Sequence, residues 1–187
     1  IHESGYNISA VICPIDKPAG RGQKLTACEV KKYAQSQNFK ILQPKSLKDQ
    51  EFIKKLKKIN ADIFVVVAFR MLPKEVWSIP KYGTFNIHGS LLPNYRGAAP
   101  INWAIINGEQ TTGVTSFFIN ESIDSGAIIL KKKCSIGPKE TAGDIHDKLM
   151  VLGSNLAVET LEPEMLSGFL RFNVIQPNEI SKIYRYN

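Results

Sequence analysis

Cysteine and histidine are scarce in this chain, and neither is clustered. Cys13, Cys28 and Cys134 are scattered over 187 residues, with only His2, His88 and His146 beside them. An odd, dispersed set of cysteines makes no disulfide framework and points to a reducing compartment, so a cytoplasmic protein is expected. No Cys/His spacing suits a zinc site, and no metal is expected. Long apolar runs are missing as well. None approaches the ~20 residues that a membrane helix needs. The opening Ile1-His2-Glu3-Ser4-Gly5 has neither the basic flank nor the apolar core of a signal peptide. No membrane partner is expected, and no internal repeat or low-complexity segment is present.

What remains is the composition of a soluble globular protein, 43% hydrophobic and 22% charged. The net charge of +7 is unevenly placed. Residues 1–58 carry 12 Lys/Arg against 5 Asp/Glu, whereas residues 59–187 carry 12 of each. A local basic excess suits a polyanionic partner. Lys54-Lys55-Leu56-Lys57-Lys58 alone is equally well read as a solvated helix face.

Short apolar runs alternate with helical patterns. Strands are expected at Ile8–Cys13, Lys40–Pro44, Ala61–Ala68, Thr84–His88, Gly113–Ile119 and Ala127–Lys132. Helices are expected around Cys28–Ser36, after an N-cap at Ser46, and from Thr141, with Ile145, Leu149, Leu152 and Leu156 on one face and Pro163 and Gly168 closing it. Residues 14–27, with glycines at 20 and 22, read as a loop. The pattern predicts an α/β fold: a Rossmann-like open, mostly parallel sheet with helices on both faces. In such sheets ligands bind beyond the carboxyl ends of the strands.

The unusual residues lie at such an end. Asn86 and His88 are two apart on a strand and share one face. The loop after them is broken by Gly89, Pro93, Gly97 and Pro100. A carboxamide beside an imidazole suits acyl transfer, because the amide can hold a developing oxyanion and the imidazole can move a proton near neutral pH. Two such residues alone read more readily as hydrogen-bonded core groups ending a strand. Asp124, in Ser122-Ile123-Asp124-Ser125-Gly126, could orient the imidazole, although spacing alone makes it an ordinary turn aspartate.

Taken together, Asn86-x-His88-Gly89-Ser90-Leu91-Leu92-Pro93, Arg96-Gly97-x-x-Pro100, Gly113-Val114-Thr115 and Asp124-x-Gly126 resemble the signature of the 10-formyltetrahydrofolate-dependent formyltransferases. The likeness runs from Tyr6 to about Asn173. It implies that Asn86 polarises the formyl carbonyl, that His88 handles protons at the same centre, and that Asp124 orients His88 and helps deprotonate the attacking amine. It implies 10-formyltetrahydrofolate as co-substrate, lying across Ser90, Leu91, Leu92 and Pro93 and the backbone after Val65–Ala68, with no metal.

Asp16-Lys17-Pro18-Ala19-Gly20-Arg21-Gly22-Gln23-Lys24-Leu25 resembles the loop by which methionyl-tRNA formyltransferases enter the acceptor end of tRNA. That likeness implies initiator methionyl-tRNA as the partner, with Lys17, Arg21 and Lys24 meeting phosphates or a flipped-out terminal base pair. The alternative acceptor is a sugar nucleotide or glycinamide ribonucleotide. A monomer is expected, with residues 1–173 as the catalytic domain. Its first strand is expected upstream of Ile1, and residues 174–187 are expected to begin a linker toward a C-terminal barrel.

Overall fold

The structure, a computed structural model, describes residues 1–19, 24–67, 71–163 and 165–166. In chain order the elements are β1 (Val11–Ile12), β2 (Lys17–Ala19), β3 (Lys24–Thr26), α1 (Glu29–Ser36), β4 (Ile41–Leu42), α2 (Gln50–Ile59) and β5 (Phe64–Val67). They continue with α3 (Lys74–Trp77), β6 (Thr84–His88), α4 (Pro100–Ile106), β7 (Thr111–Phe118), β8 (Ile128–Ser135) and α5 (Ala142–Leu161). Within the stretch expected as one domain, they form two compact units that divide between Ala61 and Asp62.

In the unit of residues 2–61, β1 pairs in parallel with β4. The segment expected as a loop contains an antiparallel hairpin, with Lys17 opposite Thr26 and Pro18 opposite Leu25. Its Gly and Pro content conceals the pairing, since both residues weaken a strand signal. The expected N-cap of α2 also moves. Asp49, not Ser46, caps the helix, accepting from Glu51 N at 2.8 Å and Phe52 N at 3.2 Å. Ser46 instead takes Lys48 N in a preceding turn. Phe52, Ile53 and Leu56 are buried, so Lys54, Lys55, Lys57 and Lys58 face solvent. Asp16, just before β2, accepts from Lys31 Nζ at 2.6 Å and Gln43 Nε2 at 3.0 Å. Those bonds hold its carboxyl below the usual range, Lys31 contributing most.

The second unit is built on the sheet β5-β6-β7-β8. β5 and β6 are parallel, while β6/β7 and β7/β8 are antiparallel. The α/β class holds, with a more mixed sheet than the sequence suggests. The short connection 119–127 leaves no room for a crossover helix, so β8 must return antiparallel. Strand β6 spans Thr84–His88, as its alternation predicts.

Alternation also decides the two faces. Ile87 and Val114 turn toward α5, where Val114, Ile145, Leu149 and Leu156 form the core. Burying each such side chain contributes about 1.5–3 kcal/mol. Ser116 and Thr160 pair their hydroxyls at 2.8 Å on the same side. Helix α5 starts as expected at Thr141, whose hydroxyl accepts from Asp144 N while the Asp144 carboxylate takes Thr141 N at 2.8 Å. The α5 core therefore leaves Asn86 and His88 for the opposite face. Helix α4 was not legible in advance: Pro100, read as a breaker, occupies its first turn, where its missing N–H costs nothing. Gly168 and residues 174–187 lie outside the described residues.

Candidate active site

Strand β6 delivers Asn86 and His88 to the face away from α5, and His88 ends the strand. Gly89 and the loop to Ala99 follow. Three residues of that loop adopt left-handed backbone: Tyr95 (φ 57°), Gly97 (φ 84°) and Ala99 (φ 55°). Only Gly takes this conformation without strain. The neighbours of Tyr95 hold it there. Its hydroxyl donates to Glu109 Oε1 and accepts from Asn107 Nδ2. The Glu109 carboxylate raises the Tyr95 hydroxyl above its ordinary pKa.

His88 is 7% exposed, and both of its ring nitrogens face oxygen. Nε2 lies 2.8 Å from Tyr95 O. A carbonyl only accepts, so Nε2 carries the hydrogen. Nδ1 faces Asp124 Oδ2 at 3.6 Å. That separation is too long for a hydrogen bond and suits an electrostatic pair. Asp124 Oδ2 also accepts from Gly97 N at 2.8 Å. Asp124 itself is left-handed, with φ 46°, which Asp tolerates better than most side chains. It sits in the turn between β7 and β8, closed by Gly126. A Cβ there would fall 1.6 Å from Phe118 O, so only glycine fits. The structure thus brings His88 and Asp124 together from two separate segments.

Asn86 completes the same face. Its Oδ1 is buried and has no hydrogen-bond partner. An unpaired buried oxygen costs about 1–3 kcal/mol, and such groups in native proteins call for a functional explanation.

The residues expected to meet the folate are held from below. Ser90 is fully buried, its Oγ donating to Asn94 O at 2.6 Å. Leu91 lies over Gly113, where any Cβ would come within 2.6 Å of Leu91 Cδ2 and 2.1 Å of Lys132 O. Leu92 is buried, its bond to Pro93 cis. Residues 68–70, directly after Val67, lie outside the described residues. Of the three residues expected to meet tRNA, Lys17 is exposed on β2 in the first unit. Arg21 and the Lys24 side chain lie outside the described residues.

Sequence reasoning missed several supports of the site. Tyr95 and Gly97 act through their backbone, which residue type cannot reveal. Thr115 stands out in the sequence only as part of a motif. Its place opposite His88 is visible only in the strand register. Among the described residues, no three His, Cys, Asp or Glu side chains converge as a metal site. No helix there is long and apolar enough to cross a membrane.

Comparison with known proteins shows the family to which the chain belongs. The family model described as "Formyl transferase" matches residues 2–161. A methionyl-tRNA formyltransferase of Flavobacterium johnsoniae is 52% identical over 187 residues, covering 100% of this chain and 59% of its own length. A methionyl-tRNA formyltransferase of Flavobacterium psychrophilum is 58% identical over 160 residues, covering 86% of this chain and 51% of its own length. The chain thus spans somewhat more than half the length of these curated relatives. Among solved structures, a phosphoribosylglycinamide formyltransferase from Bacillus halodurans superposes with a TM-score of 0.69 at 23% identity, covering 90% of this chain and 85% of that one. At that identity the likeness concerns the fold alone. With the family model spanning all but the last part of the sequence, this chain belongs to the formyl transferase family.

Proposed function

We propose that this chain is the catalytic part of an enzyme that moves a formyl group from 10-formyltetrahydrofolate to the amino group of methionine carried on initiator tRNA. The observation that carries the reading is the meeting of His88 and Asp124 beside the Asn86 carboxamide at the carboxyl end of β6.

The chemistry asks for three things. The carbonyl oxygen needs a donor as negative charge develops on it, and the Asn86 amide N–H supplies one. The attacking amine must lose a proton, which Asp124 helps remove. His88 carries compensating charge and relays the proton from the amine to the tetrahydrofolate nitrogen, which departs as its bond to the formyl carbon breaks; its orientation is fixed by Tyr95 O on one side and Asp124 on the other. The unpaired Asn86 oxygen supports a carboxamide that is free to turn toward substrate, because no hydrogen bond at that oxygen has to break. No residue role here calls for a metal. In this reading Ser90, Leu91, Leu92 and Pro93 meet the folate donor, and Lys17, Arg21 and Lys24 bind the tRNA. The names of the two Flavobacterium relatives support methionyl-tRNA as the acceptor, and so does the basic excess of residues 1–58. The protein works as a cytoplasmic monomer in this reading.

Formylation of charged initiator tRNA by the full protein, with and without 10-formyltetrahydrofolate, tests it. Donor-dependent formyl-methionyl-tRNA is expected. Transfer to glycinamide ribonucleotide or an amino-sugar nucleotide, with none to tRNA, would replace the acceptor and leave the catalytic centre standing.

A further inference from the structure

The loop that follows His88 is tied down by the strand residues that lie in line with His88 across the sheet. His88 on β6 is in register with Thr115 on β7, and Thr115 with Lys131 on β8. The row therefore runs across three strands on the face opposite α5. Thr115 is fully buried. Its hydroxyl donates to Ser90 O at 2.7 Å and accepts from Leu92 N at 3.1 Å. Lys131 Nζ donates to Leu92 O. Both backbone polar groups of Leu92 are thus held by two neighbours in one cross-strand row, and the Ser90 carbonyl by one of them.

We propose that Thr115 and Lys131 are positioning residues that set residues 90–92 at a fixed height and register relative to the His88 imidazole, and so shape the folate side of the site. This rests on the reading of residues 90–93 as the folate-binding loop. Two features favour a positioning role over mere packing. The Thr115 hydroxyl donates one bond to the loop backbone and accepts another, which a valine of similar shape cannot do. The two tethers also come from adjacent strands onto the two polar groups of one residue, Leu92, so the loop cannot slide along the sheet without breaking both. Loss of the Thr115 hydroxyl leaves the Leu92 N–H and the Ser90 carbonyl buried and unpaired, a penalty the loop can escape only by moving.

The test is steady-state kinetics of the full protein with 10-formyltetrahydrofolate varied at saturating charged tRNA, beside direct titration with tetrahydrofolate. Thr115→Val should raise the donor KM and the tetrahydrofolate Kd roughly tenfold or more, with a smaller change in kcat. Thr115→Ser, which keeps the hydroxyl, should restore most of the affinity. Lys131→Met, on an exposed residue, should raise the donor KM severalfold, and it decides the matter should Thr115→Val fail to fold. A purely structural Thr115 would lower the melting temperature and leave the donor KM unchanged. Unchanged donor KM and tetrahydrofolate Kd in the folded variants, with an active parent, would overturn the proposal alone. A parent that neither binds tetrahydrofolate nor uses the donor would overturn the loop reading and this inference with it.

Discussion

Asp124 Oδ2 stands 3.6 Å from His88 Nδ1 while accepting the Gly97 N–H at 2.8 Å. One carboxylate oxygen therefore ties the β7–β8 turn to the loop after β6 and faces the imidazole as well. Geometry and charge are joined at a single atom, and substitutions that keep one while removing the other can separate them.

His88 offers the first such separation. In a His88→Gln variant the side-chain amide can still donate to Tyr95 O, but no ring is left to take up a proton. Turnover should fall about a hundredfold or more, with the melting temperature little changed. Activity within a factor of two of the parent would remove His88 from the reaction.

Gly126 is a test of geometry without charge. A Cβ there would meet Phe118 O at 1.6 Å, and backbone cannot yield as a side-chain tip does. Gly126→Ala should destabilise the protein by about 1–3 kcal/mol or more and carry Asp124 away from His88. Denaturant unfolding read beside activity checks both losses.

Salt should act on one substrate only. Lys17, Arg21 and Lys24 are proposed to meet phosphates, and each neutralised phosphate adds to the salt dependence of binding. Raising salt from about 50 to about 200 mM should raise the tRNA KM roughly tenfold or more, with the donor KM held within about twofold. A flat tRNA KM would deny the basic region its role.

The start of α5 should set part of the acid stability. Glu140 is held below its ordinary pKa first by the Lys148 ammonium and then by Gly137 N–H. Asp144 is held below its own first by the Thr141 hydroxyl and then by the Thr141 amide. A carboxyl depressed in the folded state stabilises fully above its unfolded pKa, and that gain is lost as pH falls through the folded value. Thr141→Ala should lower the melting temperature by about 2–4 °C at neutral pH. The gap from the parent should shrink as pH is taken toward about 3. A gap constant with pH would show the cap to be independent of the Asp144 charge.

The parts of the molecule differ in how far the sequence reveals them. Strand β6 and the start of α5 were legible because each is set locally, by alternation in Thr84–His88 and by the Thr141–Asp144 capping pair. Strands β1 and β4 came out shorter than their apolar runs, since only Val11–Ile12 and Ile41–Leu42 find partners. The hairpin at Lys17–Thr26 and the helix at Pro100 were hidden behind Gly and Pro, whose meaning depends on position. Asn86, His88 and Asp124 were placed by resemblance to a family, because spacing alone left core and turn readings open. Thr115 is visible in the sequence only as a member of the Gly113-Val114-Thr115 motif, and Lys131 has no local signal. Their role depends on which residue stands opposite which across three strands, and that emerges only once the sheet is assembled.

The proposed joint action of Asn86, His88 and Asp124 on one carbonyl carbon stands or falls with Asp124→Asn. Asparagine tolerates the left-handed backbone and can still accept the Gly97 N–H, so the turn survives while the charge beside His88 is lost. Single-turnover transfer of labelled formyl from 10-formyltetrahydrofolate to charged initiator tRNA should slow about a hundredfold or more in the full protein carrying this change, with unaltered melting. Transfer at the parent's rate would contradict the account.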